Sequence, residues 1–179
     1  PHPDRERTDP RITLSDREFG MFFRLIPDMR RIHNMMPEAP EECIHLFINL
    51  FTCRSAFTVM AGMTKYAEWV HSVDMVPAYR AAKRALQILN WHYPDKILVL
   101  KSPSHLLCLD ALETVFPEAR IVHLHRDPVA AAGSFCSLAE AVQLSLRRHV
   151  DPLAIGEVFT QSWVPALNQS VTHVIQDRG

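Results

Sequence analysis

Two polar clusters in the middle of the sequence hold the residues best suited to chemistry. The first cluster, residues 101–105 (KSPSH), follows the apolar run at 97–100, and the second, residues 125–128 (HRDP), follows the apolar run at 120–124. Short apolar runs are typical of strands buried on both faces, and ligands bind where the parallel strands of an open sheet end. Both clusters are therefore predicted to face one crevice.

Arg126 and Ser134, eight residues apart, are suited to binding an anion such as a phosphate. Arginine presents a planar fork of donors to phosphate oxygens, and a helix that begins at Pro128 would add backbone N–H groups and its dipole. The small residues at 130–133 would let a ligand or a backbone approach closely. The same pattern also fits a surface pairing of Arg126 with Asp127 and a helix packed tightly on its sheet.

The elements that would position these clusters predict an α/β fold. The two apolar runs alternate with helical patterns, one from Leu106 to Val115 and one that begins at Pro128. Short connections between parallel strands imply right-handed crossovers. The predicted fold class is therefore a parallel sheet with flanking helices and a large helical share.

The chain is predicted to be a single domain that follows an extended arm. Ser15 and Glu18 form a capping-box pattern for the first helix, and Asp74 is the expected cap of a later one. Pro165 is expected to break the last helical part. The predicted limits are an arm at 1–14 and a domain at 15–179, made of a helical insert at 15–92, a strand–helix–strand–helix core at 96–138 and a helical part at 139–179.

Composition argues against several classes of protein. The chain has 179 residues, which is close to one domain of ~100–200 residues. It has 19 basic and 20 acidic residues, a balance that argues against a dedicated nucleic-acid binder. Its longest apolar stretch, near residues 43–53, is interrupted by His45 and Asn49 and is shorter than the ~20 residues of a membrane span. No membrane span is predicted.

The four cysteines lie far apart, without a C-x-x-C pair, at Cys43, Cys53, Cys108 and Cys136. Such spacing predicts reduced, mostly buried thiols in a protein of cytoplasmic type. No signal-peptide pattern opens the sequence, and the first residue is Pro1 and not Met, so we expect a fragment with a cytoplasmic location.

Residues 98–138 also carry the motifs of a known family. They include LKSPSH and, further along, FPEARIVHLHRDP. These motifs resemble a broad, largely bacterial branch of the sulfotransferases that use 3′-phosphoadenosine 5′-phosphosulfate (PAPS). Residues 37–40 and 77–80 look like the same branch, so the resemblance extends over most of the chain.

The resemblance implies a sulfotransferase core of the P-loop NTPase type and roles for three residues. Arg126 and Ser134 would hold the 3′-phosphate of PAPS. Lys101 would lie beside the sulfuryl group and stabilise its charge. The reaction also needs a general base for a hydroxyl or amine acceptor, a small molecule, lipid or carbohydrate. His105 is the candidate from the residues themselves. The alternative is that His105 only starts a helix and that the base lies in a segment expected upstream of Pro1.

The chain departs from the family pattern in the part that grips the 5′-phosphosulfate. Relatives use an early loop rich in Gly, Ser and Thr, whereas the five glycines here are scattered and no G-x-x-x-x-G-K-[ST] motif is present. We expect that loop to lie upstream of Pro1. The histidine that some relatives carry two residues after the lysine is replaced by Pro103.

Other functions remain open from the sequence. One alternative is a truncated or non-catalytic binding module with a sulfotransferase fold, and another is a small-molecule kinase of P-loop type. A protein kinase is rejected because Ala132 stands where the catalytic loop needs Asn. His123 and His125 share a strand face but lack a third ligand, so no metal site is predicted. The sequence does not determine the oligomeric state.

Overall fold

The structure, a computed structural model, describes residues 9–33, 35–56 and 62–176. These residues are mainly helical, with 66% helix. The α-helices are α1 (Pro10–Leu25), α2 (Met29–Ile32), α3 (Ile44–Asn49), α4 (Thr64–Ser72), α5 (Val76–Leu89), α6 (Leu109–Val115), α7 (Pro128–Leu146) and α8 (Pro152–Gln176), and a 3-10 helix, Pro103–Leu107, precedes α6.

The predicted parallel sheet is not formed among the described residues, so the α/β prediction was wrong. The segments at 97–100 and 120–124 have no strand pairing, and all of their side chains except that of His123 are exposed. Ile97 is 92% exposed, Val99 91% and Leu124 85%. An apolar run favours a strand, but a strand also needs a neighbouring strand to pair its backbone groups. No described segment supplies that partner.

The first helix begins earlier than its capping-box pattern predicted. Asp9 caps α1, and its carboxylate accepts a hydrogen bond from the backbone N–H of Arg11 at 3.0 Å. Pro10 fits the first helical position because its missing N–H would have no helical partner there. Residues 10–14 are therefore helical and not extended, and Ser15 lies inside α1. The rest of the predicted arm, residues 1–8, lies outside the described residues.

The predictions made from two other helix signals had opposite outcomes. Pro128 is the first residue of α7, as predicted, and the carboxylate of Asp127 accepts from the N–H of Ala130 at 2.7 Å. Contrary to the prediction, Pro165 does not break the helix, because α8 continues through it. The neighbouring Trp163 and Ala166 are buried, and this packing offsets the hydrogen bond that proline removes.

The largest core cluster joins α3, α5 and α6, with the 3-10 helix packed against α6 and α8. Its buried members include Phe47 from α3, Tyr79 and Ala82 from α5, and Ala111 and Val115 from α6. A second cluster holds α1 and α2 against α7, and a third joins α7 to α8. The 3-10 helix, which carries His105, is thus held from two sides.

α7, which contains Ser134, is an apolar helix of 19 residues. Among the described helices, it is the one whose length of 19 residues and mean hydropathy of 1.4 would allow a membrane crossing. It packs against α2 and α8, while Val129 in its first turn is 79% exposed. Length and composition alone do not separate a membrane span from a helix packed in a soluble fold.

Arg54 ties the end of α4 to the 3-10 helix. Its guanidinium donates to the carbonyl oxygens of Val70 at 3.2 Å, His71 at 3.2 Å, Val73 at 3.1 Å and Leu107 at 2.8 Å. The last carbonyls of a helix have no helical partners, and the helix dipole favours a cation near them. One guanidinium group therefore caps α4 and also fixes the position of the 3-10 helix.

We expect the substitution Arg54→Met to lower the free energy of unfolding by about 3 kcal/mol, because it removes several charge-assisted hydrogen bonds at once. Urea unfolding followed by circular dichroism measures the change. Arg84→Met is the matched control, since Arg84 is exposed on α5, and should change stability by less than ~0.5 kcal/mol. Equal stability of the two variants would contradict the role of Arg54.

Candidate functional site

Lys101 and His105 are brought together through Cys43, which precedes α3. The backbone N–H of Cys43 donates to the carbonyl oxygen of Lys101 at 3.1 Å, and the Cys43 thiol donates to the same oxygen at 3.3 Å. The sulfur also lies 3.1 Å from Nε2 of His105. The two predicted site residues therefore share one neighbour from a distant part of the sequence.

The ammonium group of Lys101 pairs with the carboxylate of Glu42. The Lys101 side chain is 70% exposed, and that of Glu42 is 15% exposed. An ion pair with an exposed partner is worth only about 0–1 kcal/mol, because water and salt screen the charges. Because its side chain is exposed, Lys101 is accessible to an anionic ligand as well as to Glu42.

Both ring nitrogens of His105 have partners. The Tyr79 hydroxyl lies 2.8 Å from Nδ1, opposite the Cys43 sulfur at Nε2. The Phe47 ring meets the imidazole edge-on, with 6.0 Å between the ring centroids. Burial lowers the pKa of His105, and the negative charge of Glu42 offsets only part of that effect. The imidazole is therefore neutral near pH 7.

The two partners of His105 also keep their protons. Burial raises the pKa of the Tyr79 hydroxyl far above its ordinary value, and the nearby thiols of Cys108 and Cys43 add to the effect. Burial likewise raises the pKa of the Cys43 thiol. Tyr79, His105 and Cys43 thus form a chain of neutral hydrogen-bonding groups that ends beside Lys101.

The residues before His105 explain why its side chain turns inward. Ser102 caps the 3-10 helix, and its hydroxyl accepts from the N–H of Ser104 at 3.2 Å. Ser104 is buried, with its hydroxyl 2.5 Å from that of Ser55 and 3.8 Å from the sulfur of Cys53. These contacts hold the first turn of the 3-10 helix, and with it the position of His105.

Arg126 and Ser134 lie at the start of α7, and both are exposed. Asp127, between them, caps the helix and forms no ion pair with Arg126, so the surface pairing that the sequence left open is not made. In the described part of the chain, no hydrogen bond links Arg126 or Ser134 to the pair of Lys101 and His105. Among the described residues, the two predicted halves of the site are therefore not joined by a direct hydrogen bond.

His123 and His125 lie side by side, with 4.3 Å between their ring centroids. Burial and the positive charge of His125 lower the pKa of His123, in that order of size. Over the ranges that the structure describes, no group of three or more His, Cys, Asp or Glu side chains is arranged to hold a metal ion.

A shallow cleft of about 280 Å³ lies apart from these residues, between the starts of α5 and α6 and the middle of α8. Its polar groups already serve the fold: Asp74 accepts from the N–H of Val76 at 2.9 Å, and Asp110 accepts from Gln169 at 3.3 Å. None of the four predicted site residues lines it.

The four cysteines are free, as predicted. Cys53 and Cys108 are buried, and burial raises the pKa of the Cys108 thiol to about 11. Sequence reasoning identified Cys43 only as one of these thiols, and it missed Glu42 and Tyr79 as partners of the site. No spacing rule connects these residues with Lys101 and His105.

The free energy of unfolding should decrease as the pH falls below about 6.5, the ordinary pKa of histidine. Burial lowers the pKa of His105 and of His71 in the folded state, so the unfolded chain binds protons first and is stabilised. Urea unfolding between about pH 7.5 and about pH 5.5 measures this slope.

His105→Gln should reduce the slope, whereas His45→Gln, a change of an exposed histidine, should leave it intact. A slope in His105→Gln equal to that of the wild type would contradict a neutral, buried His105.

Comparison with known proteins places these residues in a family. No curated protein and no solved structure matches the chain. A family model described as the sulfotransferase family matches residues 1–174, a range that contains Lys101, His105, Arg126 and Ser134. Because this match covers nearly the whole sequence, the chain belongs to the sulfotransferase family.

Proposed function

We propose that this protein acts in the transfer of a sulfuryl group from PAPS to a hydroxyl or amine acceptor. The family match supports sulfotransferase activity in general. The observation that carries the proposal is that Cys43 contacts both the backbone of Lys101, whose side chain is exposed, and the imidazole of His105. A cation and a neutral hydrogen-bonding group from one loop suit a reaction that develops negative charge on oxygen.

Lys101 would stabilise the charge of the sulfuryl group or of the departing phosphate. Sulfuryl transfer resembles phosphoryl transfer, in which positioning and charge stabilisation account for most of the catalysis. One preorganised contact of this kind is worth about 2.7–4 kcal/mol. The two hydrogen bonds from Cys43 hold the Lys101 carbonyl in place, while the Lys101 side chain is exposed to an incoming ligand.

Arg126 and Ser134 would bind the 3′-phosphate of the nucleotide. Arg126 is exposed and has no ion-pair partner among the described residues, so its five donors are available to phosphate oxygens. Asp127 already uses the N–H of Ala130. The phosphate would therefore depend on the arginine and on the hydroxyl of Ser134 more than on the helix N-terminus.

His105 would exchange or share a proton at Nε2, the nitrogen that faces Cys43. The role of general base, predicted from the sequence, requires Nε2 to be without its proton. A role as donor requires the opposite. The nature of the acceptor, a small molecule, lipid or carbohydrate, stays a prediction.

Arg126→Ala should abolish the preference for 3′,5′-adenosine bisphosphate over 5′-AMP, since the two nucleotides differ only in the 3′-phosphate. In the wild type we expect a preference of at least about tenfold, the size of one hydrogen bond to a charged group. Isothermal titration calorimetry measures both affinities. Arg120→Ala, which removes another exposed arginine, should keep the preference. Unchanged discrimination in Arg126→Ala would reject the assignment of Arg126.

Lys101→Ala should lower kcat for sulfuryl transfer in the full-length protein by about 100-fold or more, while the affinity for the nucleotide changes little. Turnover of PAPS with a panel of acceptors, and calorimetry for binding, separate the two effects. Lys96→Ala, a change of an exposed lysine in the same segment, should leave both unchanged.

Equal losses of turnover and affinity would assign Lys101 to binding and not to chemistry. A wild-type protein that binds the nucleotide without turnover would instead favour the non-catalytic module. Turnover of ATP in place of PAPS would favour the kinase.

A further inference from the structure

The imidazole of His105 lies between two groups whose protons decide its tautomer. A neutral imidazole has one N–H and one bare nitrogen, so it donates to one neighbour and accepts from the other. Its neighbours are the Tyr79 hydroxyl, 2.8 Å from Nδ1, and the Cys43 sulfur, 3.1 Å from Nε2. The tautomer therefore follows from where the protons of Tyr79 and Cys43 point.

The carbonyl oxygen of Lys101 gives the thiol proton an acceptor. That oxygen can only accept, and it lies 3.3 Å from the Cys43 sulfur. When the thiol donates to Lys101, the sulfur is free to accept from Nε2–H of His105. The bare Nδ1 then accepts from the Tyr79 hydroxyl. In this arrangement the Cys43 thiol, the Nε2–H of His105 and the Tyr79 hydroxyl each donate to an acceptor.

The opposite tautomer leaves a buried donor without a partner. If Nδ1 carried the proton, the Tyr79 oxygen would accept it, and the hydroxyl proton of Tyr79 would need another acceptor. In the described part of the chain, His105 is the one hydrogen-bonding neighbour of that hydroxyl. Tyr79 is 2% exposed, so water does not replace the missing partner. A buried unsatisfied donor costs about 1–3 kcal/mol.

We propose that Tyr79 is a positioning residue that holds His105 as its Nε2–H tautomer, so that His105 presents a hydrogen-bond donor toward Cys43 and the backbone carbonyl of Lys101. In its consequence for catalysis, this inference rests on the proposed function. An oxygen of a sulfuryl or phosphate group is a stronger acceptor than a neutral sulfur and would take the place of Cys43 at Nε2. His105 then stabilises negative charge beside Lys101 without giving up its proton, and the general base is another residue.

The substitution that tests the role of Tyr79 is Tyr79→Phe, which keeps the ring that packs 4.9 Å from Phe47. Long-range ¹H–¹⁵N correlation spectra of protein labelled at histidine nitrogens report the tautomer directly, and His105→Gln assigns the signals. We expect Nε2–H with bare Nδ1 in the wild type, and loss of this fixed tautomer in Tyr79→Phe. Tyr93→Phe, which removes a hydroxyl elsewhere, should match the wild type.

A wild-type spectrum with the proton on Nδ1 would overturn the inference, and so would an unchanged tautomer in Tyr79→Phe. Cys43→Ser provides a second variant should Tyr79→Phe fail to fold. A serine hydroxyl can also donate to the Lys101 carbonyl, so the Nε2–H tautomer should persist in it. A switch to Nδ1–H in Cys43→Ser would count against Tyr79 as the group that decides the tautomer.

These spectra need no substrate, so they separate this inference from the proposed function. A full-length protein with no sulfotransferase activity would reject the proposed function, while the spectra alone would still decide the tautomer. In an active enzyme, Tyr79→Phe should lower kcat by about tenfold with little change in KM, because the donor matters most where charge develops. An unchanged kcat would reject the role of His105 as a donor in the reaction.

Discussion

The hydrogen bonds of Arg54 are the constraint on which the arrangement of the site depends. This side chain links the last carbonyls of α4 to the end of the 3-10 helix through Leu107. The adjacent Ser55 holds the start of the same helix through Ser104. Two adjacent residues, Arg54 and Ser55, therefore hold both ends of the 3-10 helix that carries His105. Because the 3-10 helix has only five residues, it has little stability of its own, and its geometry comes from these contacts.

The helices could be predicted from the sequence to the extent that local signals determine them. Pro128 marks the start of α7, since a proline at the first helical position loses no hydrogen bond. Local signals wrongly predicted two strands, because a strand also needs a pairing partner from elsewhere in the chain, and the described residues supply none. The side chains of Ile97 and Val122 remain exposed, although their local sequence is typical of a buried strand. The prediction of a helix break at Pro165 was wrong for a similar reason. Packing of the neighbouring residues outweighs the loss of the helical hydrogen bond that proline removes.

The site shows the same division between local and distant contacts. Only three residues separate Lys101 from His105, so the sequence alone predicts that both belong to one loop. Their partners Glu42, Cys43 and Tyr79 come from other segments, and nothing in their types or spacing distinguishes them from core or surface residues. Prediction from sequence therefore reached the residues of one loop and missed the contacts that set their protonation.

Burial gives Lys101 and His105 different electrostatic roles. The Lys101 side chain is exposed, and its ammonium group pairs with the carboxylate of Glu42. His105 is packed against Phe47 and Tyr79, where a charged imidazole would be poorly solvated, and burial lowers its pKa accordingly. A neutral imidazole needs no counterion, so His105 avoids the desolvation cost of a buried cation. Lys101 thus provides a charge at the solvent-exposed side of the loop, and His105 provides a directed N–H dipole in the buried part.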